Sequence, residues 1–129
     1  MLGNFQKSQL RIEVKATDNI IRESLLDTQK LQQWFWLNKL ESGLPSKLES
    51  GLTFSSWFLG VEIRNKIDLV NDHCLRIVFS KGIDGYQEWY WGDGWVQSSL
   101  YGISLLPLNL AQTLILSSLR NFVQRQSNS

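Results

Sequence analysis

His73 and Cys74 are the only histidine and the only cysteine among the 129 residues, and they are neighbours. A thiol beside an imidazole is a familiar basis for nucleophilic chemistry. Adjacent residues of a strand point to opposite faces, however, so these two do not act as a pair. His73 alone, next to Asp72 at the end of a strand, offers a general base. No partner stands at catalytic spacing, and a surface histidine is the favoured reading. The chain carries no CxxC, HExxH, GxSxG or P-loop motif, so no metal ligand, cofactor or catalytic residue is assigned. Among the carboxylates, Glu88 is the best candidate for acid–base work, because it lies within the most aromatic stretch of the chain.

That stretch holds Tyr86, Trp89, Tyr90, Trp91 and Trp95. Period-two alternation puts Trp89 and Trp91 on one face with Gln87, and Tyr86, Glu88 and Tyr90 on the other. Past Gly92-Asp93-Gly94, the residues Trp95, Gln97, Ser99, Tyr101 and Ile103 share a face. A tryptophan buries a large apolar area and brings one N–H donor. Such residues suit a mostly apolar pocket with a few polar groups; the alternative is that they simply fill a core. Basic residues do not interleave with them and the formal net charge is +1, which argues against nucleic acid as a partner.

The elements that must position these residues follow from periodicity. Hydrophobic residues make up 43% and charged residues 19%, a globular composition of a length that fits one domain spanning 1–129, with 1–7 and 126–129 as flexible ends. Residues 8–16 alternate as a half-buried strand. Thr17 or Asp18, then Asp27 or Thr28, open two short helices, the second through Leu31, Trp34 and Phe35. Residues 38–52 read as a surface loop containing KLESGL twice, from Lys39 and from Lys47; an exposed connector is favoured over a lid. From Thr53 the period is two: strands over 53–59, 61–70, 75–80, 86–91 and 95–106, with turns at Asn71-Asp72, 81–85 and 92–94. Residues 107–125 form a long amphipathic helix whose apolar face holds Leu108, Ala111, Ile115, Leu119 and Phe122, with Leu114 beside them and Leu116 off the pattern. A run of antiparallel strands with segregated helices is an α+β fold. About six strands curl readily, and their concave face would grip the final helix.

The N-terminus lacks the apolar run of a signal peptide. Residues 103–119 are too interrupted to span a bilayer, although the amphipathic helix allows a transient contact with a membrane surface. One cysteine permits no intrachain disulfide and fits a reducing, cytoplasmic setting.

The order of motifs resembles the START-like, helix-grip superfamily, which includes birch-pollen-allergen-like, lipid-transfer and polyketide cyclase/dehydrase-like proteins. Ala16-Thr17-Asp18 before Ile20–Asp27 is similar to its first strand-to-helix transition. Leu31-Gln32-Gln33-Trp34 resembles its second helix, and Gly51-Leu52-Thr53-Phe54 its approach to the next strand. Gly92-Asp93-Gly94, a long strand and the terminal helix complete the likeness, which covers most of 8–126. The resemblance implies a pocket between sheet and helix more safely than a reaction.

Walls of such a pocket are expected from Trp34, Phe54, Phe58, Ile77, Phe79, Trp89, Trp91 and Tyr101, with Ile115 on the helix. Ala111 and Ser118 are small enough to leave room. Asn65, Gln87 and Gln97 would orient a ligand by hydrogen bonds. The leading reading is a non-enzymatic binding or transport protein for a hydrophobic or amphipathic small molecule, lipid- or isoprenoid-like. A polyketide cyclase/dehydrase-like enzyme and a protein–protein interaction module with a collapsed cavity remain the alternatives. A buried acid or base would favour the first of these; surface tryptophans would favour the second.

Overall fold

The computed structural model describes residues 3–35 and 38–128. The chain runs β1 (Asn4–Glu13), α1 (Asp18–Leu26), α2 (Thr28–Trp34), β2 (Asn38–Leu40), β3 (Thr53–Phe58), β4 (Val61–Val70), β5 (Cys74–Ser80), β6 (Ile83–Gly92), β7 (Trp95–Ser104) and α3 (Leu108–Ser127). The strands form one antiparallel sheet in the order β1-β7-β6-β5-β4-β3-β2. This is the helix-grip arrangement: an α+β fold with two short helices after the first strand and a long C-terminal helix against the sheet.

Seven strands stand where about six were expected, because the first residues of the loop read over 38–52 pair with β3 as the short β2. Residues 4–7, read as a flexible end, pair with β7 from Asn4↔Ser104 onwards, and α3 continues through Ser127. Residues 1, 2 and 129 lie outside the described residues. The turn read over 81–85 is only Lys81-Gly82, so β6 starts at Ile83.

Local chemistry explains the helix boundaries. The Thr17 hydroxyl accepts from the Ile20 N–H at 3.3 Å and caps α1. Asp27 closes α1 and opens α2, its carboxylate accepting from the N–H groups of Gln29 and Lys30 at 3.0 Å each. Each cap satisfies donors that the first helical turn leaves without partners. Pro107 has no side-chain oxygen to cap α3, and Gln6 of β1 does so from a distance in sequence. Its Oε1 accepts from the Leu108 N–H at 2.9 Å and its Nε2 donates to Leu106 O at 2.8 Å.

The buried stripe of α3 holds the expected Leu108, Ala111, Leu119 and Phe122 and adds Gln112, Leu116 and Val123. Leu108, Gln112, Leu116, Leu119 and Val123 recur at four- and three-residue steps and are 0–1% exposed, whereas Leu114 is 38% exposed. The helix lies over β1 and β7 and against α1, which rotates Leu116 inward from the position among polar residues that periodicity assigned to it. Gln112 enters the core because it finds partners there. Its Oε1 accepts from Ser8 Oγ at 2.5 Å, and its Nε2 donates to Ser98 O and Ser98 Oγ at 2.8 and 2.9 Å. A buried amide is tolerated only when its donors and acceptors are matched in this way.

One glycine lets β6 and β7 approach closely. Gly85 faces Gly102, and a Cβ at Gly85 would stand 1.9 Å from Tyr101 O. Only glycine permits so close an approach of two backbones.

Candidate functional site

The concave face of the sheet is built from alternate residues. Phe54, Ser56 and Phe58 come from β3, Ile63 and Asn65 from β4, Leu75, Ile77 and Phe79 from β5, and Gln87 and Trp89 from β6. Because α3 covers the β1–β7 side of the sheet, these residues meet α1, α2 and the loop of 41–52 across a gap. The gap is a cavity of about 70 Å³, several times the roughly 10–15 Å³ that one water needs. Ala111 and Ile115 of α3 close one side.

Of the residues expected at the site, Phe54, Phe58, Asn65, Ile77, Phe79, Gln87, Trp89, Ala111 and Ile115 border this cavity. The others stand elsewhere. Trp34 is 1% exposed and lies behind the wall. Its Nε1 donates to Ser24 O at 2.8 Å, and its ring meets Trp89 edge-on at 6.4 Å. Trp91 is equally buried, but further along β6 opposite Val96 and away from the cavity. Ser118 does not leave room; its hydroxyl donates to Trp34 O and fastens α3 to the end of α2.

Gln97 and Tyr101 lie on the convex face. Gln97 is opposite Tyr90 and Tyr101 is opposite Tyr86, and directly opposed residues of an antiparallel pair share a face. Tyr101 stacks on Tyr86 at 5.0 Å beneath Lys7. Glu88, the carboxylate candidate, is on that convex face too, where it accepts from Tyr90 Oη at 2.8 Å with Arg76 Nη1 at 3.7 Å. The hydrogen bond to Glu88, with burial adding to it, pushes the Tyr90 phenol up to about 12. Burial raises the Cys74 thiol above its ordinary range. His73 is 59% exposed at a turn, 4.0 Å from Asp18. None of these groups reaches the cavity.

Sequence reasoning missed the leucines of the loop. Leu40 and Leu48, the second residues of the two KLESGL copies, are 7% and 4% exposed and border the cavity. Leu40 and Leu48 thus belong to the cavity wall, while Ser42, Gly43, Ser46, Lys47 and residues 49–51 around them are exposed, as expected of a surface loop. The loop is held by Thr28 Oγ1 donating to Pro45 O at 2.7 Å and by the Leu48 N–H donating to Leu26 O at 2.9 Å. The repeated leucine at the same place in each copy was the available signal.

Polar groups around the cavity are few and neutral. Asn65 Nδ2 donates to Ser56 Oγ, Ile63 O and Phe54 O at 2.9, 3.1 and 3.3 Å. Gln87 Nε2 donates to Ser98 Oγ at 2.9 Å, which joins it to the Gln112–Ser8 network behind. Among the described residues that border the cavity, none carries a titratable side chain. No group of three or more metal-ligating side chains occurs among the described residues, and no described helix is long and apolar enough to cross a membrane.

No family model matches the chain. No curated protein matches it either. Solved structures do. A Rhizobium loti protein, Mll3558, is similar at a TM-score of 0.74 and 11% identity, covering 97% of this chain and 99% of that one. DynU16, a protein from the dynemicin biosynthetic locus, is similar at 0.70 and 15% identity over 94% of this chain and 48% of its own, so the chain spans about half its length. Norcoclaurine synthase from Thalictrum flavum is similar in two complexes. A point mutant with a transition-state analogue gives 0.67 and 14% identity over 98% of both chains. The enzyme with dopamine and hydroxybenzaldehyde gives 0.63 and 14% identity over 96% of this chain and 87% of that one. At these identities the likeness is one of fold: the chain has the START-like, helix-grip fold.

Proposed function

We propose that the protein binds a small, largely apolar molecule in the cavity between the sheet and α3, as a carrier or receptor and not as an acid–base catalyst. The observation that carries this reading is the chemistry of the lining: aliphatic and aromatic side chains, the neutral groups of Ser56, Asn65 and Gln87, and no titratable side chain among the described residues. A cavity of this make-up holds an apolar guest by burial and orients it with a few hydrogen bonds. A cyclase- or dehydrase-like reaction needs an acid or base poised at the substrate, and Glu88 points the other way. An interaction module with a closed cavity has less support, since Trp34, Trp89 and Trp91 are 1–2% exposed, and Trp57 and Trp95, on β3 and β7, are only half-buried and not clustered with them. Norcoclaurine synthase, in its complex with dopamine and hydroxybenzaldehyde, is an example of this fold holding small ring compounds.

At about 70 Å³ the cavity is roughly half the size of an apolar cavity that takes benzene, so a one-ring guest requires the lining side chains to give way slightly and a long acyl chain far more. An isoprenoid or lipid would require the loop of 41–52 or α3 to move outward. A lone free cysteine, Cys74, suits a reducing cytoplasm. Native mass spectrometry of freshly purified protein, followed by organic extraction, tests the reading. A bound neutral molecule of defined mass is expected; a clean mass together with no binding across a panel of small aromatic, isoprenoid and lipid compounds would count against it.

A further inference from the structure

Asn65 is 6% exposed and sits on the cavity floor. Its orientation follows from its partners. Phe54 O and Ile63 O are carbonyls that can only accept, so the nitrogen must face them. The amide oxygen then receives no hydrogen bond from any described residue, and it is not among the fully enclosed unpaired atoms. It keeps accessible surface on a residue that borders the cavity. Beside it, Ser56 Oγ accepts from Asn65 Nδ2 at 2.9 Å and keeps its own proton to donate. An acceptor and a donor thus stand side by side on an apolar floor. Gln87 is less decisive, because its partner Ser98 Oγ is a hydroxyl that can serve either end of the amide.

A hydroxyl donates one hydrogen bond and accepts others, which matches this pair. A carboxylate or phosphate has only acceptors to offer, and it would meet the amide oxygen of Asn65 with no cation among the described lining residues to balance it. Burying an unpaired charge is far more costly than burying a neutral group. We infer that the ligand is an uncharged, hydroxyl-bearing apolar molecule, its hydroxyl held between Asn65 Oδ1 and Ser56 Oγ, and that anionic lipids and organic acids are rejected. This rests on the binding reading above and narrows its ligand class.

The test is calorimetric titration with three probes of one shape: 4-ethylphenol, ethylbenzene and 4-ethylbenzoate at neutral pH. Wild-type protein should bind the phenol about tenfold more tightly than the hydrocarbon, and at least about a hundredfold more tightly than the carboxylate. Asn65→Leu should abolish the advantage of the phenol while ethylbenzene still binds. Ser56→Ala leaves the Asn65-to-carbonyl bonds in place and should reduce that advantage about threefold. If Asn65→Leu does not fold, the wild-type ratios and Ser56→Ala decide. Equal affinity for phenol and hydrocarbon, or tight binding of the carboxylate, overturns the inference and leaves the binding reading standing. Failure of all three probes removes both.

Discussion

Ala111→Phe is expected to lower the affinity for any apolar guest by at least about a hundredfold, while changing stability by no more than about 2 kcal/mol. Ala111 is 7% exposed on α3 and borders the cavity, and its small side chain is part of the reason the cavity exists. A phenyl ring there would occupy the space in which the guest is proposed to sit. In a packed core such an insertion costs about 1–3 kcal/mol through strain, but here the ring enters room that is already present. New contacts with the apolar cavity lining would offset part of the cost. Calorimetric titration with ethylbenzene and thermal unfolding would be read together. Lost binding with a near-native melting temperature is the expected pair of results. Undiminished binding in a folded variant would mean that the guest lies elsewhere.

Gln112→Met is expected to destabilise the fold by about 2–4 kcal/mol, although it nearly preserves volume. Gln112 is fully buried, and its amide joins α3 to β1 through Ser8 and to β7 through Ser98. Asn109 Nδ2 also donates to Ser8 Oγ, at 3.0 Å. Removing the amide leaves buried hydroxyl and carbonyl groups short of partners, and that deficit is the main cost. The double variant Ser8→Ala with Gln112→Met should therefore lose less than the sum of the two single variants, because the second change removes one of the groups that the first left unpaired. Chemical denaturation of the four proteins measures this. Additive losses, or a loss below about 1 kcal/mol for Gln112→Met, would mean that the network contributes little.

Much of this was legible from residue order. Two capped short helices, period-two strands and a long amphipathic helix lead to the helix-grip arrangement, and the face of β6 carrying Gln87 and Trp89 follows from alternation alone. Errors arose where one backbone detail reverses a face. The two-residue turn Asp93-Gly94 pairs Gly92 with Trp95 and therefore Trp89 with Ser98, which sends Gln97 and Tyr101 outward. Reading that register from the turn would have corrected both. In β4, a register shift between Ile67 and Leu69 turns Leu69 outward to 44% exposure and lets Val70 pack against the core, and nothing in the alternating pattern announces such a bulge. Gln112 was obscured because polarity normally argues against burial; its partners Ser8 and Ser98 lie 104 and 14 residues away in sequence. Trp34 and Ser118 were assigned to the pocket for their size, yet their hydrogen bonds to Ser24 O and Trp34 O fix them in the wall behind it.

Ligand binding rests on an open apolar cavity between the concave face of the sheet, α1, α2 and the loop of 41–52, closed on one side by α3. Xenon is a neutral, apolar sphere that enters dry apolar cavities of this kind, so 129Xe NMR of the protein tests it most directly. A saturable shift of the xenon resonance with added protein is expected, accompanied by amide shifts in β4, β5 and α3, with both lost in Ala111→Phe. A response no larger than that of weak surface contact, with those amides unmoved, would contradict it and indicate a cavity closed by its own side chains.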